Sequence, residues 1–383
     1  MTAPRFLQIH TLHSYTAALL NRDDTGLAKR LPYGGTMRTR ISSQCLKRHW
    51  RMARHDPHAL DAIDGAEEAY RSRELVTEMV IGPLKGRYPD EIVAALEPEF
   101  QKAVYGDKAD KGKKSRQTLL LGAPEIAWLA REAERLAAEV DDADMAKEAL
   151  AEWAKAFKDN IKALREATAL PGGLASALFG RMVTSDPAAN IEAPVYVAHA
   201  FTVHAEEAEG DYFTAVDDLK REEDDSGADT IQETELTSGL FYGHVVIDLP
   251  GLIANCGGQR DLAARVVHNL VHLIAEVSPG AKRGSTAPFG RADLMLIEAG
   301  DRQPRNLATA YREAIPHDRE EAVLALDRHL ARYDETYETG ETRRYLSLAE
   351  APLTGPEESG LTKLSLKALA AWAEGQVKDA PDA

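Results

Sequence analysis

Lys47, Arg51 and Arg54 recur at i, i+4 and i+7, the spacing that lines three cations along one face of a helix, with Gln44 and Arg48 flanking them. Lys47 and Arg51 belong to a basic block, Arg38-Thr39-Arg40-Ile41-Ser42-Ser43-Gln44-Cys45-Leu46-Lys47-Arg48-His49-Trp50-Arg51, with Arg54 just beyond it. Ser42 or Ser43 can cap a helix running to about Arg54, and a helix N-terminus with its uncommitted N–H groups is itself an anion site. The chemistry open to such a row is the gripping of successive phosphates. Contacts of that kind fix register without reading bases, so they predict sequence-tolerant, salt-dependent binding. The preceding loop adds Arg22, Lys29, Arg38 and Arg40, which weighs against a merely solvated basic face. Leu46, Trp50 and Ala53 fall on another face and are expected in a core.

Residues 1–54 hold ten Lys/Arg against two acids, a local charge of +8. The whole chain of 383 residues carries −16, so the remainder carries −24. A basic block inside an acidic protein points to one specific polyanion rather than to non-specific nucleic-acid binding. Tyr212-Phe213, isolated in a polar segment, could stack on or wedge between nucleotides, or could anchor its loop to its own domain; both readings stay open. The run Lys108, Lys111, Lys113, Lys114 and Arg116 reads first as a solvated loop and second as another polyanion contact, with DNA as the candidate. Glu222-Glu223-Asp224-Asp225 would repel nucleic acid and reads as a solvated tip, or as a mimic meeting a basic surface on a neighbouring subunit.

Catalytic patterns are sparse. His268 and His272 are four apart, but Asn269 stands where a zincin needs Glu, so they are read as structural and no metal site is assigned. Gly34-Gly35 and Gly172-Gly173 lack the context of a P-loop or a dinucleotide fold, and no cofactor motif occurs. Cys45 and Cys256 form neither a disulfide framework nor a zinc site and read as small buried side chains in a reducing, cytoplasmic protein. Asp23-Asp24 is the one exception: two carboxylates beside a cationic groove could hold Mg²⁺ for phosphodiester cleavage, or could order the loop by pairing with Arg22 or Arg38.

The elements that must position these residues form an α+β pattern. Phe6–Leu12 alternates as a first strand, and the stretch after it reads as loop. Helices are expected at Ala59–Val80, Pro89–Tyr105, Ala123–Glu139 and Asp144–Ala169, with a glycine-containing boundary at Pro171–Gly180. Strands return at Val195–His204 and Gly239–Leu249, a helix at Gln259–Val277, a last strand at Ala292–Ile297, and helices at Glu320–Tyr333 and Thr362–Gln376. Without its insertions the order is strand, helix, strand, strand, helix, strand, the split βαβ arrangement of ferredoxin-like and RNA-recognition domains. With 44% hydrophobic residues and no long apolar run, a soluble globular chain without a membrane span is expected.

Six motifs then occur in order: Asn21-Arg22-Asp23-Asp24, Gly34-Gly35, Arg40-Ile41-Ser42-Ser43-Gln44-Cys45-Leu46-Lys47-Arg48, Gly180-Arg181-Met182, Phe213-Thr214-Ala215-Val216-Asp217-Asp218-Leu219 and Pro279-Gly280-Ala281-Lys282. Together, from Gln8 to about Ile297, they resemble the CasC family, the CRISPR RNA-binding backbone subunits of the type I-E Cascade complex, within the RAMP superfamily. The resemblance implies a hand: a palm at 1–56, 191–204 and 239–300, helical fingers at 57–190, a thumb hairpin at 205–238, and a C-terminal helical region at 301–383. It implies a non-catalytic antiviral ribonucleoprotein subunit. Its copies would polymerise head to tail along CRISPR RNA beside other Cascade subunits, kink the guide at regular intervals and present it to target DNA. Arg22, Lys29, Ser42, Gln44 and Lys47 match positions holding the RNA backbone; Met182, beside Arg181, matches a residue packing on bases; Tyr212, Phe213, Thr214 and Val216 match the thumb wedge; Lys282 and Arg283 join the contact set. The alternative the resemblance leaves is a metal-dependent endoribonuclease using Asp23 and Asp24, since related RNA-targeting complexes cut with a loop aspartate.

Overall fold

The structure is a computed structural model that describes residues 3–106, 109, 116–168, 170–183, 186–214 and 231–381. In chain order the elements are β1 (Phe6–Ala18), β2 (Arg30–Tyr33), β3 (Thr36–Ile41), α1 (Ser43–Arg51), β4 (Ala69–Ser72), α2 (Asp90–Tyr105), β5 (Leu119–Gly122), α3 (Ala123–Ala138), α4 (Ala143–Glu166), α5 (Gly173–Phe179), β6 (Val195–Val197), β7 (Ala200–Thr202), β8 (Ala208–Thr214) and β9 (Ile231–Asp248). They continue with α6 (Leu249–Asn255), α7 (Arg260–Glu276), α8 (Arg283–Thr286), β10 (Ala292–Gly300), α9 (Arg319–Tyr337), β11 (Thr342–Ser347), β12 (Thr362–Lys363) and α10 (Leu366–Asp379). No helix among the described residues is long and apolar enough to cross a membrane. The chain divides into two compact units. The first is Met1–Ala59, Val197–Ile247 and Val267–Ala380; the second is Leu60–Tyr196, Asp248–Val266 and Pro381–Ala383.

The first unit is built on one sheet in the order β12-β11-β10-β1-β9-β7-β3-β2. Its middle four strands, β10-β1-β9-β7, are the split βαβ core, and the fold is α+β as expected. The stretch read as loop after Leu12 instead continues β1 to Ala18 and then forms the β2–β3 hairpin, Arg30 opposite Thr39 and Tyr33 opposite Thr36. Gly34 and Gly35 make that turn with φ +62° and +83°, the left-handed conformation a tight hairpin demands. A Cβ on Gly34 would stand 1.4 Å from the Arg312 carbonyl oxygen, so glycine is required there for space as well. On the other edge β11, which the periodicity did not suggest, pairs antiparallel with β10.

Both faces of the sheet are covered. On one, Leu12, Phe201, Leu240, Tyr242, Leu294 and Leu296 pack with Tyr311, Val323, Leu326 and Leu330, largely from α9. On the other, Tyr15, Ile41, Ala200 and Phe241 pack with Cys45 and Leu46 of α1. An isolated RNA-recognition domain stacks bases on aromatics of its open sheet face. Here Tyr242 is 1% exposed, so no base reaches that face, and any nucleic acid must be met by loops, helix ends and the β8–β9 hairpin.

Under α9 the sheet also buries a polar network. His10 Nδ1 lies 2.8 Å from the Tyr242 hydroxyl and Nε2 3.2 Å from Glu298. Glu298 accepts from Arg305 (2.8 Å) and Arg343 (2.7 Å), and Arg343 also bridges to Asp334 at 2.6 Å. Despite its burial, these partners hold the Glu298 carboxyl far below the carboxylate range, whereas burial keeps His10 neutral.

The second unit has its own core, in which Leu96, Phe100, Leu129, Leu150, Trp153 and Phe157 are buried between α2, α3 and α4. These helices follow the expected spans closely. The helix expected at Ala59–Val80 is absent: Ala69–Ser72 is a strand paired with β5, and Val76–Ile81 is a π-helical turn. The glycine-containing boundary at Pro171–Gly180 instead holds the helix α5, buried along most of its length.

Candidate nucleic-acid interface

Local capping fixes α1. Ser42 is the N-cap, its hydroxyl accepting from Cys45 N–H at 3.3 Å, and its own N–H donates to Asn21 Oδ1 at 2.9 Å. The first turn of α1 carries no acid and the last turn carries Arg48, His49 and Arg51, so its N-terminal dipole end is not neutralised by its own side chains. Gln44 and Arg48 are exposed and Lys47 and Arg51 half-buried, while Trp50 is buried as its position on the wheel predicts.

Three other segments of the first unit are tied to this helix or to its neighbours. The loop Leu19–Lys29 is held by Lys29 N–H to the Asn21 carbonyl (2.9 Å) and Arg40 N–H to the Lys29 carbonyl (2.8 Å). The base of the β8–β9 hairpin joins through Thr237 to the Ala18 carbonyl (3.0 Å), Ser238 to Ala17 N–H (3.0 Å) and Glu235 to Ala28 N–H (2.6 Å). The 278–286 segment joins through Ala281 N–H to the Leu19 carbonyl (2.8 Å) and a Lys282 bond to Thr234. Arg22, Lys29, Arg40, Gln44, Lys47, Arg48, Lys282 and Arg283, from three parts of the sequence, are thereby carried by backbone segments that the hairpin base helps to connect.

Electrostatics mark the same place. His49 is kept neutral by burial and then by Arg283 and Arg48; His199, 3.0 Å from Arg40, is kept neutral by burial and then by Arg40 and Lys29. Partial burial lowers the Lys47 pKa, and burial raises the Cys45 thiol. A surface where imidazoles stay neutral and cations crowd is one that a phosphate relieves. Sequence reasoning passed over Asn21 as a positioning residue and His49 and His199 as members; none of the three gave a signal for that role, since Asn21 acts on Ser42 N–H and His199 on Arg40, both distant along the chain.

Several expected contacts lie elsewhere. Arg38 is fully buried beneath β3: it donates to Thr36 Oγ1 and to the carbonyls of Thr202, His204, Tyr311 and Arg312, so it cannot meet RNA. Arg181 is buried in the second unit, 2.5 Å from Glu125 and 2.9 Å from the Ala189 carbonyl; Glu125 also meets Arg165 at 2.7 Å. Adjacent Met182 is 69% exposed. Ser42 is buried and acts through its cap rather than as an open hydroxyl. Arg116 is half-buried over the Tyr105 ring and bonded to Gln101, an internal role. Arg30 pairs with Glu206 and Glu235. Asp23 accepts from Thr25 N–H, Thr25 hydroxyl and Leu27 N–H, which lowers its pKa and orders the loop without Arg22 or Arg38. Tyr212 stands 63% exposed on β8, opposite Glu233, and Phe213 and Thr214 pair through their backbones with Gln232 and Ile231. Val216, Lys108, Lys111, Lys113, Lys114 and the acidic tip fall outside the described residues.

Among solved structures, a chain of a CRISPR RNA-guided surveillance complex, pre-nicking, superposes with a TM-score of 0.80 at 25% identity, covering 97% of this chain and 100% of that one. A chain of a second CRISPR RNA-guided surveillance complex shares the fold, with a TM-score of 0.58 at 21% identity over 96% and 99% of the two chains. No curated protein matches the chain. The sequence profile of the CT1975-like proteins matches residues 7–372, and the chain belongs to that family.

Proposed function

We propose that the chain binds CRISPR RNA as a non-catalytic backbone subunit of a type I-E surveillance complex. The first unit acts as palm, the second as fingers and the β8–β9 hairpin as thumb. The cationic surface around α1 holds the sugar–phosphate strand. Copies stack head to tail, and Tyr212 at the exposed hairpin of one copy wedges the guide held by the next, leaving short segments open to target DNA. The observation that carries this reading is the convergence of loop 19–29, α1, the hairpin base and the 281–283 segment on one cationic surface. Both sheet faces being covered supports backbone gripping over base stacking on the sheet. Cleavage is left to other proteins: Asp23 is held by its own loop, which argues against the metal-dependent ribonuclease.

Tyr212→Ala tests the wedge. Base–aromatic stacking contributes about 1–3 kcal/mol per base, so assembled complexes should lose regular protection of the guide from nuclease while the subunit's thermal midpoint stays unchanged. An unaltered protection ladder would remove the wedge from the account. Incubation with complementary RNA and Mg²⁺ should give no Asp23-dependent cuts.

A further inference from the structure

His58, His268 and His272 come together in the first unit although their sequence positions give no hint of it. His268 and His272 lie one turn apart on α7, and His58 approaches from the segment after α1. One ligand atom from each lies within 4.8 Å of the others. The His58 and His272 rings stack at 3.6 Å with planes 2° apart. Each imidazole has a carboxylate oxygen beside Nδ1: Asp56 at 3.6 Å from His58, Glu374 at 3.0 Å from His268 and Glu276 at 3.5 Å from His272. Only the His272–Glu276 contact has hydrogen-bond geometry, and it is the arrangement in which a metal-binding histidine is oriented through one ring nitrogen and offers the other as a lone pair; His268 Nδ1 is buried without a hydrogen-bond partner. His272 Nε2 is buried without a hydrogen-bond partner. Burial, with His58 next, favours the neutral His272 ring.

We propose that His58, His268 and His272 form a site for a divalent transition metal of borderline softness, with Zn²⁺ the class that suits three imidazoles. Zn–N bonds of about 2.0–2.1 Å draw the three nitrogens inward and tilt the His58 and His272 planes out of their stack. A fourth position is open to water or to one of the neighbouring carboxylates. The ion would pin the segment that leaves the cationic helix onto α7, where Asn269 Nδ2 already donates to the Ala59 carbonyl at 3.3 Å. The zincin spacing is irrelevant to such a site, because its third ligand comes from a different element.

The full-length chain, stripped with a chelator and titrated with Co²⁺, should bind one ion per chain with visible d–d absorption and should release it to Zn²⁺. His58→Ala, in a half-buried loop, should abolish the bands and leave the circular-dichroism spectrum unchanged. Glu374→Gln, which leaves all three ligands in place, should weaken affinity about tenfold. His317→Ala removes a ligand of the other three-residue group among the described residues, His204, Glu207 and His317, and should change neither band nor stoichiometry. Absence of d–d bands, or bands that persist in His58→Ala with an unchanged circular-dichroism spectrum, would overturn the proposal.

Discussion

The strand β3 and the helix α1 that follows it share one basic stretch and use it in opposite ways. Arg38 of β3 is fully buried, its guanidinium surrounded by four carbonyl oxygens and a threonine hydroxyl. Arg48 of α1, ten residues on, is exposed. The second unit repeats the contrast in adjacent residues: Arg181 is locked onto Glu125 while Met182 points to solvent. Charge in a sequence therefore marks two different jobs. A guanidinium with five fixed donors can knit buried carbonyls and carboxylates as readily as it grips phosphate, and only the fold distinguishes the two.

The contrast breaks most visibly in the second unit. Glu125 is buried and pairs with both Arg165 and Arg181, so Glu125→Ala leaves two guanidinium groups short of a counter-ion and should cost about 3–5 kcal/mol in chemical denaturation. A smaller loss is expected for Arg38→Met, which strands buried carbonyls at about 1–3 kcal/mol. The folded fraction of that variant should keep wild-type RNA affinity; weakened binding would return Arg38 to the contact set. The pH dependence sharpens the internal half of the comparison. Burial holds His10 neutral and lowers His244 to about 2, with His10 next in importance for His244. The unfolded chain takes up these protons below pH about 6.5. The resulting stability is full above that pH and declines as pH falls towards the low folded values, by at most about 1.4 kcal/mol per pH unit for each histidine. His244→Gln should flatten the slope between pH 6.5 and 4.5, and an unchanged slope would contradict the assignment.

How far the sequence reached follows from the same physics. The first core strand and α7 announced themselves through periodicity, and α2, α3 and α4 through an Ala/Glu/Leu-rich composition. The β2–β3 hairpin did not, because Arg, Thr and Gly dominate it and partners that it meets, Ala308, Tyr311 and Arg312, lie far along the chain. The Ala59–Val80 error has the opposite cause: an Ala- and Glu-rich composition favours helix, but Ala69–Ser72 pairs with β5 instead. At the candidate interface, the row of Lys47 and Arg51 with Arg48 flanking it was legible, but α1 ends at Arg51, so Arg54, expected as the third cation of that face, lies beyond the helix. The carbonyl cage around Arg38, the Asn21 cap and the histidine trio were not legible, since each depends on elements distant in sequence.

The central claim is that the cations around α1, and not the buried arginines of the same block, hold the RNA backbone. The direct measurement is the salt dependence of CRISPR RNA binding for Lys29→Ala/Arg48→Ala beside Arg38→Met. The account predicts that the double variant loses about 0.7 in log–log slope for each phosphate contact removed and keeps its thermal midpoint, while Arg38→Met keeps the slope and loses stability. A double variant with the wild-type slope, or an Arg38→Met protein that is stable yet binds poorly, would contradict it.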